Sequence, residues 1–270
     1  MRGISSQTLA AGQDRLETLL ASAGTDPAAL GDDLFAVTDV LSGNPALRRA
    51  LTDPARDGEA KAVLVERIFS GRLSGPAVDV LAGLARGRWS RAGDLTDAVE
   101  TYAVSALLAA AERAGRLDSV EDELFRFARM VEGDQGLRDA FSQRTAGAER
   151  KAELVRTLLR GRAASETVRL AVQAASHPRG LRTAQVLEHY VEAAAERRRQ
   201  VVAHVVAASP LTTEQRNRLE AALQRRYGRV RLNVDVDPDV IGGLRVQVGS
   251  ELVDGTVSER LDEARRRLAG

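Results

Sequence analysis

Arg229-Val230-Arg231-Leu232-Asn233-Val234-Asp235-Val236-Asp237, followed by Pro238-Asp239-Val240-Ile241-Gly242-Gly243 and then Leu244-Arg245-Val246-Gln247-Val248-Gly249, decides how the C-terminal part of the chain folds. Val230, Leu232, Val234 and Val236 alternate with polar residues, which predicts a half-buried strand. Pro238 has no N–H to give a ladder and ends it. Gly242-Gly243 permits a backbone path that a Cβ would forbid. Leu244, Val246 and Val248 alternate again as a second strand. Upstream, Val201 to Ala207 is a short, almost wholly apolar run of the kind that makes a central strand. Pro210 stops it, and Thr212 with Gln215 forms a capping box for a helix carrying Leu219, Ala222 and Leu223. Downstream, Asp254-Gly255 reads as a turn. Thr256 with Glu259 opens a last helix striped by Val257, Leu261, Ala264 and Leu268. Residues 201–270 thus read β-α-β-β-α, a small α/β domain.

Everything before it reads as helix and repeats itself. Asp26-Pro27 opens a helix with Leu30, Leu34, Val37 and Leu41 on one face. Shifted by 90 positions, Val120, Leu124, Phe127 and Val131 make the same stripe. Leu34-Phe35 matches Leu124-Phe125, Gly43 matches Gly133, Leu47-Arg48 matches Leu137-Arg138, and Leu64-Val65 matches Leu154-Val155 without a gap. The chain's two lysines, Lys61 and Lys151, keep the same offset. We read a duplicated helical bundle unit: residues 1–100 as a first, extra copy and 101–200 as a second, sharing a long helix near 91–114. Tyr102 and Tyr190 mark the corresponding last helices. The fold class is α+β, mostly helical with a C-terminal α/β domain.

Composition excludes several chemistries. There is no cysteine, so thiol catalysis, disulfides and cysteine metal sites are out. His177, His189 and His204 fall at no metal-binding spacing and none adjoins a nucleophile. Asp235-Val236-Asp237-Pro238-Asp239 fails as a calcium loop, because Val240 and Val246 stand where glycine and glutamate are required. Gly71 to Pro76 lacks the Gly-Lys-Ser/Thr ending of a phosphate loop. A net charge of +1 and nine aromatic residues leave no nucleic-acid footprint. The arginine clusters at 197–199 and 265–267 sit among glutamates at helical spacing, as on solvated helix faces. No apolar run approaches a membrane span and the start lacks a signal-peptide core, which predicts a soluble chain that reaches a membrane only through a partner. No catalytic, cofactor or metal residue is assigned.

The ordered set Asp237-Pro238, Ile241-Gly242-Gly243 and Asp254-Gly255 resembles the delta subunit of bacterial F-type ATP synthases, the family of the mitochondrial oligomycin-sensitivity-conferring protein. Thr101-Tyr102-Ala103, the paired hydrophobics after Lys151, and Ala208-Ser209-Pro210-Leu211-Thr212 resemble further family segments, so that residues from about 100 onward look like a complete ordinary member. The extra first copy is similar to long actinobacterial forms. The resemblance implies a non-catalytic stator subunit in the peripheral stalk, with no cofactor, at the cytoplasmic face of the cell membrane. It implies two partners: the N-terminal helix of an alpha subunit, bound in a groove between the first and fifth helices of a bundle, and the C-terminal end of the b subunit. In the second copy that groove maps to Tyr102, Leu107, Val168 and Val172. The residues alone also admit an unrelated helical adaptor or an RNA-binding module.

Overall fold

The oxygen of Asp26 shows how the helical part is built from local signals. It accepts hydrogen bonds from the Ala28 and Ala29 N–H groups that follow Pro27, starting α2. In the computed structural model, which describes residues 4–143, 145–199, 201–227, 230–237, 243–248 and 251–254, α1 spans Ile4–Ala21 and α2 Pro27–Gly43. They are followed by α3 (Pro45–Thr52), α4 (Gly58–Phe69), α5 (Gly75–Arg86) and the long α6 (Ala92–Arg113). The series then starts again with α7 (Leu117–Gly133), α8 (Gln135–Ser142), α9 (Ala148–Leu159), α10 (Ser165–Ser176) and α11 (Thr183–Arg199).

Each of α7 to α10 begins 90 positions after its counterpart and has the same length: 17, 8, 12 and 12 residues. The cap of α3 repeats at α8. Asn44 accepts from the Leu47 N–H, and Asp134 accepts from the Leu137 N–H. The helices α5 and α10 are capped from a distance instead. Asp33 on α2 accepts the Ser74 N–H at 2.9 Å, and Glu123 on α7 accepts the Ala164 N–H at 2.9 Å. A carboxylate at a helix N-terminus meets both the orphan N–H groups and the positive end of the helix dipole.

Both stripes read from the sequence are buried: Leu30, Leu34, Val37 and Leu41 in α2, and Val120, Leu124, Phe127 and Val131 in α7. Four such side chains contribute roughly 6 to 12 kcal/mol before conformational entropy is subtracted. One apolar core runs from Leu16 to Ala194, and residues Met1–Ala195 form one compact unit. The helix α6 completes the first set of helices and opens the second, so the two repeats share it. Leu95, Val99, Tyr102, Leu107 and Leu108 are all buried along it.

Glu196–Gly270 form the second unit. Here β1 (Val201–Ala207), α12 (Thr213–Tyr227), β2 (Val230–Val236), β3 (Leu244–Val248) and β4 (Glu251–Asp254) follow in order. The sheet order is β2-β1-β3-β4, so β1 is internal, as its continuous apolar run predicts. It pairs parallel with β2 and antiparallel with β3. The capping box forms: the Gln215 N–H donates to Thr212 Oγ1 at 3.2 Å and the Thr212 N–H to Gln215 Oε1 at 2.9 Å. Leu219 and Leu223 of α12 pack on the sheet core of Ala203, Val205, Val230, Leu232, Val246 and Val248.

The sheet has one strand more than the sequence reading. Asp254, read as a turn residue, ends β4 with Arg245 as its register partner. Four residues are too few for the alternation to register, and β4 is the edge strand beyond β3. The helix expected from Thr256 onward lies outside the described residues.

Candidate partner-docking seam between α6 and α10

The four residues assigned to a helix groove do not line an open one. Tyr102 is 1% exposed and Leu107 is 0% exposed. Tyr102 donates its hydroxyl proton to the Leu9 carbonyl on α1. Leu107 faces α2 at Gly31, where an added Cβ would sit 2.8 Å from Leu107 Cγ and 3.2 Å from the Ala103 carbonyl. Gly31 is therefore where two helix backbones approach closely. Val168 and Val172 on α10 are half-buried and pack against the shared core.

The stripe of α10 next to those valines also meets α2. Arg169 pairs with Asp32 at 3.3 Å. The Gln173 amide donates to Asp39 at 3.3 Å, and His177 Nδ1 lies 3.4 Å from the same carboxylate. Burial pushes the Asp39 carboxyl above its ordinary range, opposed by His177 and Gln173. So α2, a helix of the first repeat, packs on α6 at Leu107 and is bridged to α10 by these side chains. Sequence reasoning did not anticipate the bridge from α2 to α10. The signal was a helical glycine beside an acidic residue, Gly31-Asp32, and nothing in the sequence says which surface that face meets.

Beyond the seam, Arg179 ties α6 to the α10–α11 connection through Asp97 at 2.7 Å and through Glu100. Tyr190 on α11 donates to Glu100 at 2.8 Å, and burial raises its phenol well above the ordinary value. Arg179 has φ +45° and Gly180 φ +89°. The left-handed conformation costs a non-glycine residue about 1 kcal/mol, which two carboxylate contacts offset. Lys151 and Lys61 are both buried. Lys151 donates to the Phe141 carbonyl at 2.6 Å and Lys61 to the Gly87 carbonyl at 2.9 Å. These lysines are structural donors, bonded to backbone. Among the described residues, no group of three His, Asp or Glu side chains is placed to hold a metal ion, and no helix is long and apolar enough to cross a membrane.

In the second unit the motif residues shape backbone. The Asp237 N–H donates to the Ala207 carbonyl at 2.9 Å, extending the β1–β2 pairing by one bond. Gly243 is exposed with φ +80°, a conformation glycine takes without strain, just before β3. Pro238, Ile241, Gly242 and Gly255 lie outside the described residues.

Comparison with known proteins agrees with this architecture. The family model described as ATP synthase delta (OSCP) subunit matches residues 98–268, beginning inside α6 and covering the second repeat and the C-terminal unit. The first repeat has counterparts too. ATP synthase subunit delta of Kineococcus radiotolerans is 53% identical over 99% of this chain and 98% of its own length. The protein of the same name from Streptomyces griseus is 48% identical over 100% of both chains, and that of Beutenbergia cavernae is 48% identical over 100% of both. On the matched span and the full-length identity, this chain belongs to the ATP synthase delta (OSCP) subunit family.

Proposed function

We propose that this chain is a non-catalytic stator subunit of a proton-translocating F-type ATP synthase, part of the peripheral stalk that joins the catalytic head to the b subunit so that the head does not turn with the rotor. The observation that carries the reading is the full-length identity with delta subunits. The structure is suited to it: one extended helical core and a separate small α/β unit, two bodies able to grip two partners. Association with the membrane is then peripheral and through the complex. In vesicles depleted of this chain, adding it back restores proton-coupled ATP synthesis, while the purified chain hydrolyses no ATP. Depleted vesicles that stay fully coupled would remove the basis for the reading.

The partners follow as a finer proposal. The helical unit takes the N-terminal helix of an alpha subunit, and the C-terminal unit takes the end of the b subunit. Because Leu107 is taken up by the α2–α6 contact, a partner helix meets this seam at its α10 side, where Val168 and Val172 are half-buried. Titration with the alpha-subunit N-terminal peptide compares the wild type with Val168→Asp, which should weaken binding. Unchanged affinity in a folded variant moves the docking to the repeat-equivalent seam between α1 and α5.

A further inference from the structure

The same aromatic residue occupies the same place in both repeats with opposite burial. Phe35 on α2 is 6% exposed, and Phe125 on α7 is 53% exposed, the most exposed of the chain's large apolar side chains among the described residues. Phe35 lies between Asp32 and Asp39 on one helical stripe, and both of those acids are engaged from α10, by Arg169 at the first and by Gln173 and His177 at the second. The equivalent stripe on α7 is Asp122, Phe125 and Arg129, spaced i, i+3 and i+7, with exposed Met130 at its edge. Among the described residues its two charges are engaged within the helix, Asp122 with Arg126 at 2.5 Å and Arg129 with Glu132 at 3.1 Å. All four of those side chains are exposed, and such pairs are weak enough to exchange for a partner.

We propose that the Asp122–Phe125–Arg129 stripe of α7 is a docking surface for an α-helix of another ATP synthase subunit, whose side chains engage its two charges as those of α10 engage Asp32 and Asp39. The internal precedent defines the partner's chemistry. Arg169 opposite Asp32 calls for a cation opposite Asp122. Arg129 stands where the first repeat has Asp39, so an acidic residue belongs about two turns further along the partner, with small or apolar residues between to cover the Phe125 ring. A long solvated aromatic ring flanked by opposite charges two turns apart, roughly 10 Å along the axis, fits a helix-on-helix contact of this kind. The inference rests on the stator reading, because the partner is sought inside that complex.

The test uses the full-length chain added to ATP synthase depleted of it. Phe125→Glu should weaken rebinding about tenfold or more, as loss of an aromatic anchor does, and Arg129→Glu a few-fold. Both positions are exposed, so the helical signal and melting profile stay those of the wild type. Val63→Glu, at another exposed apolar side chain on α4, is the control and should bind normally. A photo-cross-linking amino acid at position 125 should join to a helical segment of another subunit that carries the cation and the acid. Rebinding of Phe125→Glu at the level of Val63→Glu would overturn the inference, as would a cross-link only to a second copy of this chain or to a segment without those charges. Failure of the wild type to rebind at all would instead sink the stator reading.

Discussion

The first and second helical repeats have the same helices at the same offset and the same distant carboxylate caps, yet they are closed differently. In the first repeat Leu95 and Ala98 of α6 are fully buried, and the space left near Ser42, Arg48 and Gly93 is about 280 Å³. In the second, the equivalent positions are Gln185 and Glu188, and they line a cleft of about 630 Å³ over Val131, Phe141 and Lys151. Trp89, 8% exposed with its indole N–H on the Leu84 carbonyl at 3.0 Å, becomes Arg179 in the second repeat and turns to the acids of α6. The difference teaches that local sequence sets the helices and their caps, while burial depends on a repeat's place in the array. The acids beside Phe35 on α2 are engaged by the other repeat, whereas Phe125 on α7 is exposed among the described residues, as with the inner and terminal units of repeat proteins.

Several changes would break or sharpen that comparison. The largest effect is expected from Leu34→Ala and Leu124→Ala, equivalent residues both at 0% exposure. Each should cost about 2 to 5 kcal/mol in urea unfolding, and because the repeats share a core, each should shift one common transition of the helical unit. A variant that splits the helical unit into two transitions would show the repeats to be independent. Gly31→Ala should cost about 1 to 3 kcal/mol, since its Cβ meets Leu107 and the Ala103 backbone across the α2–α6 contact. Gly93→Ala, with open space around it, should instead be neutral or stabilise by up to about 1 kcal/mol, and equal effects at the two sites would contradict the close approach.

Glu123→Gln should cost about 1 kcal/mol, the scale of a lost helix cap, and Asp33→Asn the same if the two distant caps are equivalent. The smallest and most specific effect concerns pH. Glu166 and Asp94 are buried acids, one in each repeat and without a counterpart in the other. Burial raises both carboxyls, but the Arg116 guanidinium and Ser165 outweigh it at Glu166, and Ser5 and Arg91 outweigh it at Asp94, so both end below the ordinary range. A carboxyl depressed in the folded state stabilises fully above its unfolded pKa, about 4. That contribution disappears as pH falls through the depressed value. Thermal melts should therefore fall off below about pH 4, and Glu166→Gln or Asp94→Asn should each flatten the fall while lowering stability at neutral pH. An unchanged acid limb in both variants would place the acid sensitivity elsewhere.

Much of this was legible in the sequence because it is encoded locally. The 90-residue offset, the stripes from Leu30 and Val120, the start of α2 at Asp26-Pro27, the capping box at Thr212 and the internal position of β1 all rest on spacing and on single side chains bonding nearby backbone. What was not legible depends on which surfaces meet. Leu107 reads equally well as a groove liner or a core residue, and only the approach of Gly31 decides for the core. Tyr102 was assigned to the groove, but its hydroxyl is satisfied by α1. The strand β4 escaped notice because Glu251–Asp254 is short and its order comes from pairing with β3. Phe35 and Phe125 each follow a leucine at the same place in their repeat and are opposite in burial, and that burial depends on the packed surface each one meets.

The shared helix α6 has a mechanical meaning. Its 22 residues make a rod about 33 Å long that belongs to both bundles at once. A torque applied to one repeat therefore reaches the other along continuous covalent backbone, with α2 bracing the rod from the side, and no sliding joint lies between them. Two bundles strung on a linker would yield at the linker; two bundles built on one spar bend only as far as the spar does.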